Sequence, residues 1–205
     1  MAPRQAAYLA AQLNALRQAL AEKNIPLIFH EVADFAASIE VVRSVCKRHA
    51  VTHLFYNYQY EFNEHQRDRL VEHSLVDTVC QGFDDSVILP PGAVVTGNHE
   101  MYKVFTPYKN AWLRRLREHL PECVRAPAPR NAPAVIAGPA ITLTYPQQPF
   151  DPALFPADEN TAIQRLRQFC QQGASKYESQ RDFPAIEGTS RLSACLTVGV
   201  LSPRQ

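Results

Sequence analysis

The chain has 205 residues and a mass of 23.1 kDa, with 46% apolar and 20% charged residues, the balance of a folded globular protein rather than a disordered one. Lys and Arg number 21 against 20 Asp and Glu, a net charge of +1 that gives no global field for steering onto DNA or anionic lipid. With 7 Gly and 5 Cys, collagen-like and small disulfide scaffolds are excluded.

Cys46, Cys80, Cys123, Cys170 and Cys195 are widely spaced and form no CxxC pair, so neither a zinc site nor a disulfide framework is expected. Free thiols of this kind suit a reducing cytosol, and a cytoplasmic location follows as an expectation. No apolar run approaches the roughly 18 residues of a membrane span, so no membrane partner is expected. Met1 to Ala21 carries Arg4 and Arg17 and no acid, as a transit peptide does, but it is rich in Ala and Leu and lacks Ser. It reads as a helix of the folded domain.

Pro3 suits the first turn of that helix, and Leu9, Leu13, Leu16 and Leu20 form one stripe at helical spacing. Asn24 and Pro26 end it. Leu27–Val32 reads as a short buried strand. Asp34 is placed to cap a helix running to about Arg48, with Ile39, Val42, Val45 and Cys46 on its apolar side. Thr52–Tyr56 is a second strand, Asn63 to Ser74 a helix, and Val76–Gln81 a third strand. Alternating strands and helices imply a parallel sheet.

Beyond Gly82 the pattern changes. Pro90-Pro91-Gly92 is a turn signal. Thr106-Pro107 reads as an N-cap and first helical residue, opening a helix through about His119 with Trp112, Leu113, Leu116 and Leu120 as its apolar side. Residues 121–156 are irregular, and most of the chain's 16 prolines lie there or just before. A stretch of that length reads as an interdomain linker. A helix from about Glu159 to Gln171 follows, then a polar segment and a last apolar piece, Leu192–Leu201. Ser202-Pro203 again has the form of a helix start.

Three stretches, taken together, are distinctive: Phe55–Glu64 (FYNYQYEFNE), Thr96–Tyr108 (TGNHEMYKVFTPY) and Tyr177–Cys195 (YESQRDFPAIEGTSRLSAC). In order and spacing they resemble the photolyase/cryptochrome family, above all the bacterial cyclobutane-dimer DNA photolyases with a folate antenna. The resemblance implies an α/β fold: a Rossmann-like parallel-sheet antenna domain at 1–120 without its first two strands, the linker at 121–156, and at 157–205 the start of an all-α FAD-binding domain. The absent strands would lie beside Leu27–Val32, so marginal stability is expected, each buried unpaired backbone group costing about 1–3 kcal/mol.

Asn63 and Glu64 at a helix start could simply cap it and favour its dipole. The resemblance instead makes them the residues that hold the pterin of methenyltetrahydrofolate, a carboxylate accepting paired N–H bonds from an aminopyrimidine edge. Thr189, Ser190, Arg191, Leu192 and Ser193 match the flavin-phosphate segment after Gly188, and Tyr177 joins them as a contact to FAD. Hydroxyls and backbone N–H groups at a turn suit phosphate, although a Ser/Thr-capped helix would look the same. Ala194 and Cys195 depart from the family pattern in a way that touches packing more than phosphate. Arg181 matches a residue that contacts DNA phosphate, which positions a duplex without reading sequence.

Other combinations carry less. Asn98-His99-Glu100 lies in a loop with no nucleophile nearby in sequence. His49 and His53 straddle a helix-to-strand junction, so no metal site is expected. No catalytic residue is assigned. The resemblance implies light-driven repair of pyrimidine dimers in DNA by electron transfer from reduced FAD, with damaged DNA as partner, a monomeric parent enzyme, and an isolated chain that is itself inactive. A cryptochrome-type light receptor and a non-catalytic folate- or flavin-binding module are the alternatives.

Overall fold

The computed structural model describes residues 1–205. Helices and a small parallel sheet make it an α/β chain. Helix α1 (Pro3–Ala21) is followed by α2 (Phe35–Arg48), strand β1 (His53–Asn57), α3 (Phe62–Ser74), strand β2 (Val79–Phe83) and α4 (Phe105–Glu118). Then come α5 (Glu159–Gln172), a 3-10 turn (Ala174–Lys176) running into the single turn α6 (Tyr177–Gln180), and α7 (Ser193–Thr197). No helix is long and apolar enough to cross a membrane. The contacts divide the chain into two units: Met1–Glu31 with Arg125–Leu201, and Val32–Val124 with Ser202–Gln205.

In the first unit, Pro3 opens α1 at N1 and the Gln5 side chain accepts from the Ala2 N–H at 2.8 Å. The stripe of leucines is not the buried face. Ala6, Tyr8, Ala10 and Gln12 are buried, while Leu16 is 48% exposed. The small side chains of Ala6 and Ala10 let other chain approach that side closely. The proline-rich segment runs along the helix and is held by side chains, because a chain rich in proline has carbonyls to offer but few N–H groups. Asn14 donates to the Ile141 carbonyl at 2.8 Å and accepts from its N–H at 2.9 Å. Lys23 and Asn24 donate to the Pro127 and Arg130 carbonyls. Ala162, Leu192, Cys195 and Leu201 form a small core between α5 and α7, and Asp158 caps α5 by accepting from the Thr161 N–H at 2.9 Å.

The strand expected at Leu27–Val32 does not form. The segment has no regular secondary structure and pairs with no strand. Its anchor is Glu31, whose carboxylate accepts from the Thr144 N–H and hydroxyl at 2.8 and 2.9 Å. A largely apolar hexad becomes a strand only when a ladder partner takes its backbone groups.

In the second unit, β1 and β2 pair in parallel, His53 opposite Val79 through Asn57 opposite Phe83. The second strand starts later than the expected Val76, which is 92% exposed. Thr78 fixes the true start: its hydroxyl donates to the Val51 carbonyl, and the next N–H, of Val79, donates to Thr52, both at 2.9 Å. Helices α2 and α3 cover the pair, with Cys46, Val71 and Leu75 buried among Ile39, Val42, Leu54 and Cys80. Asp34 caps α2 as its sequence position predicts, accepting from the Ala37 N–H at 2.8 Å. Helix α4 begins one residue before the expected cap, with Val104 at N-cap and Pro107 at N3. Proline is still tolerated there, since the first four N–H groups of a helix lack intrahelical acceptors. Only Ala111 of α4 is buried; Trp112 is half-buried and Leu120 is 75% exposed. Ser202 begins a reciprocal cap, its N–H donating to Gln205 Oε1 at 2.8 Å while its hydroxyl accepts from the Arg204 N–H at 3.2 Å.

Candidate functional site

The segment 177–193 and the C-terminal half of α5 form an open cleft of about 590 Å³. On α5 it is lined by Arg165, Gln168, Phe169 and Gln172, residues at i, i+3, i+4 and i+7 that share one helix face. Opposite stand Lys176, Gln180, Glu187, Thr189, Ser190 and Arg191. Three cations face one carboxylate, and two hydroxyls are in place, a donor set that suits a phosphate-bearing ligand.

The loop carrying those residues is tightly folded. Gly188 lies so close to Gln180 that a Cβ there would sit 2.5 Å from the Gln180 Cβ and 2.8 Å from its carbonyl group. Arg191 is held at φ +53°, the left-handed region that a non-glycine residue rarely occupies. Its guanidinium lies 3.7 Å from the Glu187 carboxylate. Arg165 is fixed by donating to the carbonyls of Ala153 and Leu154.

The residues singled out in the sequence therefore divide. Thr189, Ser190 and Arg191 line the cleft. Leu192 does not; it is 4% exposed and belongs to the core with Cys195. Ser193 is the first residue of α7, its carbonyl accepting from the Thr197 hydroxyl. Tyr177 stands behind the cleft wall, edge-on to Phe169 with ring centroids 6.1 Å apart. Arg181 stacks over the Tyr177 ring at 5.7 Å and is half-exposed, with Asp182 at 3.7 Å. Arg165 and Lys176 were not singled out, although the spacing of Arg165 from Phe169 and Gln172 was a legible signal.

Asn63 and Glu64 occupy the first turn of α3 in the other unit. The capping alternative for Asn63 is set aside: the N-cap is Glu61, with Asn63 and Glu64 inside the helix as N2 and N3. Glu64 is the one acidic residue of that turn, where the helix dipole favours it. Along the same helix, His65, Asp68, Arg69 and Glu72 line a second cavity with Tyr56, Tyr58 and Tyr60. His99 is in a loop at φ +61°, as its surroundings suggested, and its N–H donates to the Thr96 carbonyl. No group of three or more His, Cys, Asp or Glu is placed to hold a metal ion.

A profile of the DNA photolyase family matches residues 1–128. The deoxyribodipyrimidine photo-lyase of Escherichia coli K12 is 66% identical over 205 residues, covering all of this chain and 43% of that protein. The photo-lyase of the same name from Vibrio cholerae is 40% identical over 212 residues, covering 45% of its length. Among solved structures, a class III photolyase from Agrobacterium tumefaciens matches with a TM-score of 0.71 at 22% identity, over 98% of this chain and 42% of that one. That likeness concerns the fold. The chain spans less than half the length of these relatives.

Proposed function

The chain belongs to the DNA photolyase family, and on that premise we propose that it is the portion of a deoxyribodipyrimidine photo-lyase that holds the antenna and one end of the flavin. Family membership implies bound chromophores in general, and the two proposed for this chain are FAD and methenyltetrahydrofolate. The observation that carries it is the cleft in which Thr189, Ser190 and Arg191 face Arg165 and Lys176. Hydroxyl donors and fixed cations around one opening suit the diphosphate of a dinucleotide. Gly188 fits the same purpose, since its missing side chain lets the 187–191 turn close against Gln180.

When bound, reduced FAD supplies the electron that splits a pyrimidine dimer and the folate collects light for it. The chain's own residues bind and orient. Arg165 and Lys176 neutralise phosphate charge, Thr189 and Ser190 donate to phosphate oxygens, and Tyr177 supports the wall through Phe169. Leu192 and Ser193 set the position of the turn rather than meeting the ligand. Asn63 and Glu64, at the exposed start of α3, offer an amide and a carboxylate to the pterin. Arg181 offers a half-exposed guanidinium to DNA phosphate. Residues 1–120 and 157–205 would then be parts of two domains joined by 121–156, of a monomeric cytoplasmic enzyme. The relatives from Escherichia coli and Vibrio cholerae are named deoxyribodipyrimidine photo-lyases, and no observation favours a light-receptor role.

Titration of the purified chain with FAD, read by flavin fluorescence, tests this. Saturable binding is expected, weakened about tenfold by a Thr189→Ala, Ser190→Ala double variant, the loss of two charge-assisted hydrogen bonds at a half-open site. Methenyltetrahydrofolate binding is expected to fall with Glu64→Gln and not with Thr189→Ala. The chain by itself is expected to leave a dimer-containing oligonucleotide unrepaired under blue light. Flavin binding indifferent to residues 188–191 would overturn the assignment of the cleft.

A further inference from the structure

We propose that the cavity between β1 and α3 binds a small planar organic cation of the guanidinium or amidinium class, anchored on Asp68. The cavity measures about 400 Å³, a size that takes a small ligand. The side chain of Asp68 is only 9% exposed and lines it. Its Oδ1 accepts from Arg67 Nε at 2.9 Å and Nη2 at 2.6 Å. Its Oδ2 is buried and has no hydrogen-bond partner. A buried carboxylate oxygen without a donor is costly, and in native proteins such an atom calls for an explanation.

Three neighbouring donors are already committed elsewhere. The Tyr56 hydroxyl donates to Glu72, and the Tyr60 hydroxyl donates to Asp84 Oδ1 at 2.8 Å. Arg67 is shared between Asp68 and Gln59, whose Oε1 accepts at 2.8 Å. The other donors on the lining, Tyr58, His65 and Arg69, make no hydrogen bond to Asp68 Oδ2 either, so the oxygen is open to a donor carried by a ligand.

Charge and shape narrow the class. Asp68, Glu72 and Asp84 put three carboxylates on the lining against one guanidinium, that of Arg69. The walls are aromatic: Tyr56 and Tyr58 meet edge to face at 5.6 Å. The Tyr58 ring occupies space that a side chain at Gly82 would take, a Cβ there lying 2.3 Å from its ring carbons. Aromatic faces beside carboxylates favour a weakly hydrated, delocalised cation over a strongly hydrated one. A metal ion is disfavoured by geometry, since no three carboxylate, His or Cys groups converge. A planar cation spreads its N–H donors around one plane, so it can serve Asp68 Oδ2 while lying against a tyrosine ring. Asn63 and Glu64 do not line this cavity, so the inference stands apart from their proposed role.

The test is calorimetric titration of the full chain with agmatine, with magnesium chloride and n-butanol as controls, alongside spectra of ring-labelled tyrosine. Agmatine is expected to bind saturably and the controls not. The ring signals of Tyr56, Tyr58 and Tyr60 should move while those of Tyr8, Tyr145 and Tyr177 stay. Asp68→Asn should weaken binding about tenfold or more, the loss of a charge-assisted pair. Tyr58→Leu should weaken it several-fold. Should Asp68→Asn fail to fold, the tyrosine spectra of the unaltered chain decide alone. The proposal is overturned by absence of saturable heat at millimolar agmatine, by movement confined to the other tyrosines, or by displacement of agmatine by methenyltetrahydrofolate, which would give the cavity to the folate.

Discussion

The Tyr8 hydroxyl donates to the carbonyl of Pro156 at 2.9 Å, and the Cys195 thiol approaches the same carbonyl from 3.7 Å. All three residues are buried, so an N-terminal helix, the end of the proline-rich segment and the short helix α7 share one acceptor. The Tyr8 ring adds edge contacts to Phe150 at 5.4 Å and Phe155 at 6.2 Å. Tyr8→Phe removes one hydrogen bond and leaves the carbonyl to Cys195, which should cost about 1 kcal/mol. Tyr8→Ala also empties the space between the two phenylalanines and should cost about 3–5 kcal/mol. Urea denaturation followed by circular dichroism measures both; equal losses would mean that the ring packing contributes nothing.

The same burial predicts an order of thiol reactivity. Cys195 is fully buried and Cys46 is 5% exposed, whereas Cys123 and Cys170 are exposed. Cys80 is half-buried, and desolvation, followed by the charge of Glu72, raises its pKa, leaving less thiolate to react. At pH 8 a disulfide reagent should modify Cys123 and Cys170 quickly, Cys80 more slowly, and Cys46 and Cys195 only on unfolding. Peptide mapping at early times checks the order.

Alkaline pH should destabilise the fold through its phenols. Desolvation, and then the hydrogen bond to the Asp84 carboxylate, pushes Tyr60 up to about 12. Tyr56 is raised by desolvation and by Glu72, and Tyr8 by desolvation and by Cys195. A raised phenol means that the folded state holds the proton more tightly than the unfolded chain, where the value is about 10. The contribution of Tyr60 is therefore fully present below about pH 10 and lost as pH rises through about 12. Absorbance at 295 nm should show three of the 8 tyrosines titrating late. Tyr60→Phe should flatten the fall in stability over that window.

The chain should melt broadly. Its accessible surface is 15167 Å². Two separate compact units sharing its 23.1 kDa would expose only roughly 11,600 Å². Val76, Ile136, Val124 and Met101 are each more than four-fifths exposed, and Leu27–Val32 has no ladder partner. Scanning calorimetry should give a van't Hoff enthalpy different from the calorimetric one, or a low, shallow transition. A single sharp melt with matching enthalpies would contradict this.

Much of the local structure was legible because its causes are local. Asp34 and Asp158 precede helical stretches and accept from the N–H three residues on, whatever lies around them. Pro3 marks the start of α1 for a similar reason. Of the candidate flavin contacts, Thr189, Ser190 and Arg191 reach the cleft, while Leu192 turns into the core because it is the apolar residue of that turn. The helical spacing of Arg165, Phe169 and Gln172 marks one face of α5, but only the folded loop brings Arg165 and Lys176 to face the 189–191 turn.

The sequence by itself determined the family motifs, the alternation of strand and helix, and the starts of α1, α2 and α5, which backbone chemistry fixes within a few residues. Tertiary structure decided which of those segments became a sheet. Thr52–Tyr56 found a partner in the stretch after Thr78 and paired, whereas Leu27–Val32, equally apolar, found none. It also decided the buried side of α1, choosing Ala6, Tyr8 and Ala10 over the leucines. Pairing and packing depend on residues far away in the chain, and no local pattern carries that information.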